Sequence, residues 1–320
     1  MTASLSSELG LGTSAPLLHR SRARWEDMPP NVRGAFLVTI AAAGFTVVWA
    51  LAKELADAGM HPFQISLCRA VLSLGFLLPF LLRGKVSRFR TAHPWMHFAR
   101  ACSGAVAMLF GFYALMRLPL AEVTALGFTT PLFTVLFAAL ILRESVGWRR
   151  WGAVAVGFAG MLIIVQPGAA ALQLDALYAV GSAMLVALSI TIVKRFPASE
   201  SQTVLLFYVL IASILVCALP AAEVWRDPDP IEWLMLAAIG GLGLGAHALF
   251  IMGFRIGESS FVAPFDYTKL LFAMIIGFFA FGELPGWATL TGAGVLIASS
   301  FYIARRETKL ARARSRQPGS

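Results

Sequence analysis

The sequence predicts an all-α integral membrane protein with ten transmembrane helices arranged as two inverted five-helix repeats. Three observations carry that prediction. The 320-residue chain is 58% hydrophobic and only 13% charged, with a mean hydropathy of +0.75, a balance that leaves a soluble domain too little polar surface to cover itself. Ten apolar runs are each long enough for a hydrocarbon core about 30 Å thick, which takes roughly 20 helical residues. One pattern, a long apolar helix ending in Glu, then Gly-Trp, then a second apolar helix, occurs at 133–164 and again at 272–303.

The runs read in order. The first, 34–55, follows a basic start (Arg20, Arg22, Arg24, Arg33) and ends among Lys53, Glu54 and Asp57. The second, 62–82, closes on Arg83, Lys85, Arg88 and Arg90. The third, 96–116, opens at His97 and Arg100 and closes on Arg117. The fourth, 121–142, opens at Glu122, holds Pro131 in its middle and closes on Arg143. Trp148, Arg149 and Arg150 open the fifth, 148–165, and Lys194 and Arg195 close the sixth, 176–196. The seventh, 203–219, leads to Arg226, and the eighth, 231–252, to Arg255. The ninth, 261–281, has Pro264 near its start, and the tenth, 287–303, runs into the basic tail 305–320.

Charge placement orients these spans. The chain carries a net charge of +9, yet the cations track the membrane rather than any nucleic-acid surface. If both termini face the cytoplasm, 20 of the 26 Lys and Arg fall on that side and only Arg117 and Arg226 on the other. By the positive-inside rule both termini are cytoplasmic, in a cell inner membrane. The first 30 or so residues lack the apolar core and cleavage site of a signal peptide, so none is expected to be removed. Cys68, Cys102 and Cys217 all fall inside spans, odd in number, and imply neither a disulfide framework nor a metal site.

The repeat gives the topology its meaning. Glu144, Gly147 and Trp148 recur as Glu283, Gly286 and Trp287 at one constant offset, joined by sparse identities such as Thr129 with Thr268 and Phe133 with Phe272. Five crossings per half force the second half to enter the membrane from the opposite side. The expected organisation is a tail 1–33, a first repeat 34–166, a second repeat 167–304 and the tail 305–320, the last expected to be disordered. Inverted repeats let two similar halves exchange conformations around one midplane site, which makes transport the leading function. Gly241-x-x-x-Gly245, Ala153-x-x-x-Gly157 and the run Gly292, Ala293, Gly294 are the expected close-packing contacts.

The local wording resembles a known family. Leu118-Pro-Leu-Ala-Glu-Val-Thr-Ala-Leu, Thr130-Pro-Leu-Phe, Arg143-Glu144, Gly147-Trp148 and Gly157-Phe-Ala-Gly160 look like the EamA-type domain of the drug/metabolite transporter superfamily. Ala263-Pro-Phe-Asp-Tyr-Thr-Lys-Leu-Leu-Phe with Phe281-Gly-Glu283 looks like its second copy. The resemblance covers roughly 34–305. It implies a ten-helix inner-membrane carrier of small organic metabolites with a central cavity between its halves.

Charged groups inside spans cost several kcal/mol by most estimates and are functional candidates. Arg69 lies about 10 Å into the second span at 1.5 Å per residue and suits bidentate binding of a carboxylate. Asp266, Tyr267 and Lys269 form the most polar cluster within any span, Asp266 and Lys269 sharing a helix face. They read as an ion pair or as groups that line the cavity and switch partners. His247 is a cavity candidate deep in the eighth span, while His97 and Arg100 read as headgroup-facing or loop-pairing. Trp49, Phe45, Tyr113 and Phe128 read as packing or as a stacking surface for a planar substrate. Lys53, Glu54 and Asp57 form a rim or a gate, and Glu144 and Glu283 anchor the two turns, with Trp148 and Trp287 in the interfacial belt. Pro131 and Pro264 kink their helices.

No nucleophile with a base, metal cluster, cofactor motif or Walker A sequence argues for an enzyme, and the inverted repeat favours a carrier over a channel. The excess of Arg69 and Lys269 over Asp266 leans towards an amino acid or related zwitterion or anion. Riboflavin, S-adenosylmethionine or a similar aromatic metabolite is the alternative. Expected partners are the small-molecule substrate and membrane lipids, with no nucleic acid and no cofactor. A homodimer stays open.

Overall fold

The computed structural model describes residues 28–82, 94–144, 146–166, 174–193, 202–257 and 259–315. The described residues form helices joined by short turns, in the order α1 (Pro30–Asp57), α2 (Pro62–Leu82), α3 (Pro94–Leu115), α4 (Leu120–Gly127), α5 (Thr130–Leu140) and α6 (Trp148–Val165). There follow α7 (Leu174–Val193), α8 (Gln202–Glu223), α9 (Pro230–Ile256), α10 (Ser259–Val262), α11 (Thr268–Phe281) and α12 (Trp287–Ser315). A 3₁₀ segment, Ala263–Tyr267, joins α10 to α11. Among the described residues nine stretches are long and apolar enough to cross a bilayer, α4 with α5 and the 3₁₀ segment with α11 each counting as one; the tenth is the shorter apolar helix Trp287–Ile303. Each of the ten expected apolar runs thus has its counterpart among these helices, nine of them long enough to span.

Proline at the first helical position and polar caps set the ends. Pro30 and Pro230 stand where an N–H has no helical partner to lose. Asp229 accepts from Glu232 N at 2.8 Å while Glu232 accepts from Asp229 N at 2.9 Å, a reciprocal cap that fixes the start of α9. Two expectations change here. The first helix starts at Pro30 rather than at 34. The segment expected to form a disordered tail instead continues α12 as far as Ser315, because its Arg, Lys, Glu and Ala are good helix formers.

Spans four and nine cross the membrane as broken helices. The fourth unwinds at Phe128 and Thr129, just before Pro131, and the ninth tightens into the 3₁₀ turn at Ala263–Tyr267, which holds Pro264. A proline ring has no N–H to complete the ladder; at Pro131 the carbonyl left over, Gly127 O, accepts from the Thr130 hydroxyl at 2.8 Å. Thr129 donates to Leu126 O at 2.7 Å and Thr268 donates to Phe265 O at 2.6 Å. Both bonds sit at the same repeat positions. The turns after the two spans also match: Arg143 and Gly282 both have left-handed φ, 55° and 64°, and Glu144 N and Glu283 N donate to Ala138 O and Gly277 O.

Helix packing repeats with the halves exchanged. α1 packs on α9 as α7 packs on α3; α2 packs on α9 as α8 packs on α3; α11 packs on α1 as α5 packs on α7. Helices α2 with α8 and α6 with α12 close the interface. Close approach rests on particular glycines. A Cβ at Gly34 would meet Gly253 O at 2.7 Å, and one at Gly292 would meet Gly160 O at 2.6 Å. The expected Gly241/Gly245 pair does not serve this way, since Gly245 faces open space and Gly241 makes only ordinary contact with Phe76. Gly157 is tight against Leu132, whereas Gly294 is open.

One difference breaks the symmetry. The halves of spans four and nine nearest Lys53 pack together as α4 on α11, but among the described residues no comparable packing joins α5 to α10 at the other end. The end bearing Lys53 and Glu283 is closed.

Candidate functional site

At the break in span nine, Lys269 Nζ lies 2.6 Å from Asp266 Oδ1, three residues earlier. Both side chains are about one quarter exposed, so the pair is reachable rather than sealed. The ammonium also stands over two rings, 5.2 Å from the centroid of Phe45 on α1 and 5.5 Å from that of Phe250 on α9. A cation over ring faces within about 6 Å gains roughly 0.5–2 kcal/mol. Phe45 meets Phe250 and His247 edge-on, each at 6.3 Å. Thr46, one residue on, is within 3.5 Å of Lys269 O. Spans one, eight and nine thus build a cation box with one carboxylate.

Of the predicted residues, the structure brings Asp266, Lys269, Phe45 and His247 together. Phe250, absent from the prediction, completes them; its place three residues after His247 on the same helix face was the available signal. Tyr267 turns away from the box and meets Phe128 at 5.0 Å. Trp49, half-buried, packs on Phe112 and against Gly111. Arg69 is placed apart, beside Cys217 of α8. Tyr113 lies at the end of α3, stacked on Tyr178 at 5.5 Å and paired with His61 Nε2 at 3.3 Å.

The residues read as a rim or gate fall into two kinds. Lys53 is 7% exposed, while Glu54 and Asp57 are exposed. Lys53 Nζ meets Glu283 Oε1 at 2.9 Å and donates to Leu115 O at 3.2 Å and Leu118 O at 3.1 Å. Glu283 Oε2 accepts from Leu120 N at 2.8 Å. Spans one, three, four and nine are thereby tied at one end, and Gln64 ties the second span to Arg226 O by a 2.6 Å bond. Glu283 is more than a turn anchor. Glu144, its repeat counterpart, is exposed. Trp148 and Trp287 are 77% and 82% exposed, as an interfacial belt requires.

At the other end, His97 is not headgroup-facing: it is buried against the Tyr208 ring at 4.7 Å, because α3 packs closely on α8. Arg100 is half-buried and its carbonyl accepts from Ser103 at 2.8 Å. Lys194, Arg195, Arg83, Lys85, Arg88 and Arg90 lie outside the described residues. Among the described residues no His, Cys, Asp and Glu group could hold a metal ion.

A two-fold set of apolar spans, broken helices at matched positions and a charged, aromatic-lined site at one break are the build of a multi-pass membrane protein. Comparison with known proteins gives the family: the chain belongs to the EamA-like transporter family, whose model matches residues 32–166 and 173–305. It is 31% identical over 250 residues to an S-adenosylmethionine uptake transporter of Rickettsia bellii (strain RML369-C), covering 78% of this chain and 86% of that one. It is 28% identical over 285 residues to a riboflavin transporter of Vibrio cholerae, covering 88% and 96%. A solved structure, described only as a crystal structure of a protein, overlays with a TM-score of 0.55 at 20% identity, covering 83% of this chain and 98% of that chain. That likeness shows the fold alone.

Proposed function

We infer that this protein is an uptake carrier for S-adenosylmethionine or a close adenosyl cation, working by alternating access between two inverted repeats with both termini cytoplasmic. The observation that carries the reading is the cation box: Phe45, Phe250 and Asp266 already hold one cation, the Lys269 ammonium. A sulfonium or ammonium of the substrate can take that place while Asp266 supplies the counter-charge, and ring faces suit both the cation and an adenine. The names of the relatives above support a cofactor-type metabolite over the simple amino acid favoured by charge alone. Riboflavin, neutral and flat, would use the rings and bring hydroxyl and imide donors, but no positive charge, to the carboxylate.

Closure at the Lys53 end and weaker packing at the opposite end fit an inward-facing conformation. The outward-facing one follows by exchanging the roles of the halves.

The test is counterflow in proteoliposomes preloaded with unlabelled S-adenosylmethionine. Labelled S-adenosylmethionine accumulates transiently and saturably, excess riboflavin does not compete, and Asp266→Asn lowers kcat/KM at least tenfold. Trans-stimulation by riboflavin with none by S-adenosylmethionine would move the substrate to the flavin; linear, unsaturable flux would make the protein a channel.

A further inference from the structure

Arg69 is the eighth residue of α2, about 10 Å from the helix start at 1.5 Å per residue. Val71 and Leu78, on the opposite side of the helix, are 48% and 47% exposed and mark the lipid face. Arg69 is partly accessible and lies near Cys217 of α8. Its Nε is buried with no hydrogen-bond partner, and no ion pair reaches it among the described residues. The polar groups nearest it along α2 and α8 are uncharged. Ser66, one turn earlier and 1% exposed, lies beside Cys217 of α8; Ser213, one turn before Cys217, is 2% exposed. Ser213 Oγ has no hydrogen-bond partner among the described residues, and Ser66 Oγ has none beyond the Cys217 thiol beside it.

Arg69, Ser66 and Ser213 are costly to bury with so few partners, since an unmade buried hydrogen bond costs about 1–3 kcal/mol and an intramembrane Arg several more. All three can donate, the only fixed charge among them is positive, and a guanidinium fork matches a carboxylate. We propose that Arg69, Ser66 and Ser213 form an anion subsite that takes the carboxylate of the transported solute, separate from the cation box at Lys269. Resting on the transport reading above, this defines the substrate class as a solute bearing both a cation and a carboxylate. S-adenosylmethionine has both; riboflavin has neither.

The test uses the purified full-length chain in detergent. Acetate replacing chloride at constant ionic strength raises the Tm of the wild type, leaves that of Arg69→Gln unmoved, and acts partially on Arg69→Lys. Wild-type protein binds S-adenosylmethionine at least tenfold more tightly than its decarboxylated form, and Arg69→Gln binds the two equally. If Arg69→Gln does not fold, the Ser66→Ala/Ser213→Ala double variant carries the same comparison, with a reduced acetate response. An acetate response absent from the wild type, or equal in wild type and variant, overturns the subsite even if S-adenosylmethionine is transported. An Arg69-dependent acetate response with no binding of either adenosyl compound supports the subsite and removes the S-adenosylmethionine reading.

Discussion

Phe128 and Tyr267 hold the same position in the two repeats and meet edge to face with their centroids 5.0 Å apart. Each stands at the break of its span, next to the threonine that bonds back to the preceding turn. The contact therefore joins the two breaks through the approximate two-fold axis. Ser300 of α12, 3.4 Å from Phe128 O, packs beneath it. An edge-to-face pair adds about 0.5–1.5 kcal/mol beyond burial, so a double-mutant cycle of Phe128→Leu and Tyr267→Leu should return a coupling in that range from unfolding in detergent. Additive losses would show that the rings touch without supporting each other.

The Lys53–Glu283 clasp predicts a different pattern. Both side chains are largely buried, at 9% and 17% exposure, and removing one partner of a buried pair costs about 3–5 kcal/mol because the other charge is left without compensation. Lys53→Met and Glu283→Gln should each lower Tm strongly, and the double variant should be more stable than either single one. A cysteine placed at Leu118, under the clasp, should react with an impermeant maleimide added to the Lys53 side faster in Glu283→Gln than in the unaltered background. Equal rates would mean that the pair stabilises this end without controlling access.

Glycine packing is tested by two neighbours on α12. A Cβ at Gly292 would lie 2.5 Å from Ile164 and 2.6 Å from Gly160 O, whereas one at Gly294 meets nothing within 4 Å. Overpacking of this kind costs about 1–3 kcal/mol, and alanine is otherwise the better helix former by about 1 kcal/mol. Gly292→Ala should therefore lower Tm and Gly294→Ala should leave it unchanged or raise it, by thermal unfolding of the purified protein.

The spans were legible in the sequence because hydropathy sums over the whole length of a membrane helix, so local errors cancel. The repeat was legible because its turn has a fixed chemistry: the match of Glu144 with Glu283 is mirrored by left-handed backbone at Arg143 and Gly282. The ion pair of Asp266 with Lys269 was legible from a spacing of three. What hydropathy misses is contact between distant segments. Lys53 and Glu283 lie in opposite halves of the chain, and nothing local says that a lysine at the end of one span is buried on the glutamate of another. Gly241 and Gly245 fit a packing motif, yet Gly240, one residue away, carries the close contact with Leu72 and Ser73. A motif names a spacing; only the helix rotation decides which glycine faces a neighbour.

His61, in the loop between α1 and α2, predicts an acid response at the Lys53 end. Its Nδ1 accepts from Phe63 N at 3.3 Å, which in the neutral ring leaves the proton on Nε2, facing the Tyr113 hydroxyl at 3.3 Å. Protonation at Nδ1 destroys the acceptor that holds Phe63 N. Burial also lowers the imidazole pKa below its ordinary 6.5. With the folded value below the unfolded one, the unfolded chain binds the proton more readily between the two. Stability is then full above pH 6.5 and falls as pH drops from there through the folded value. The Tm of the wild type should decline from pH 6.5 towards pH 5 with a component that His61→Gln removes, while the two proteins keep a constant Tm difference above pH 7. Parallel profiles over the whole range would place the acid response on another group.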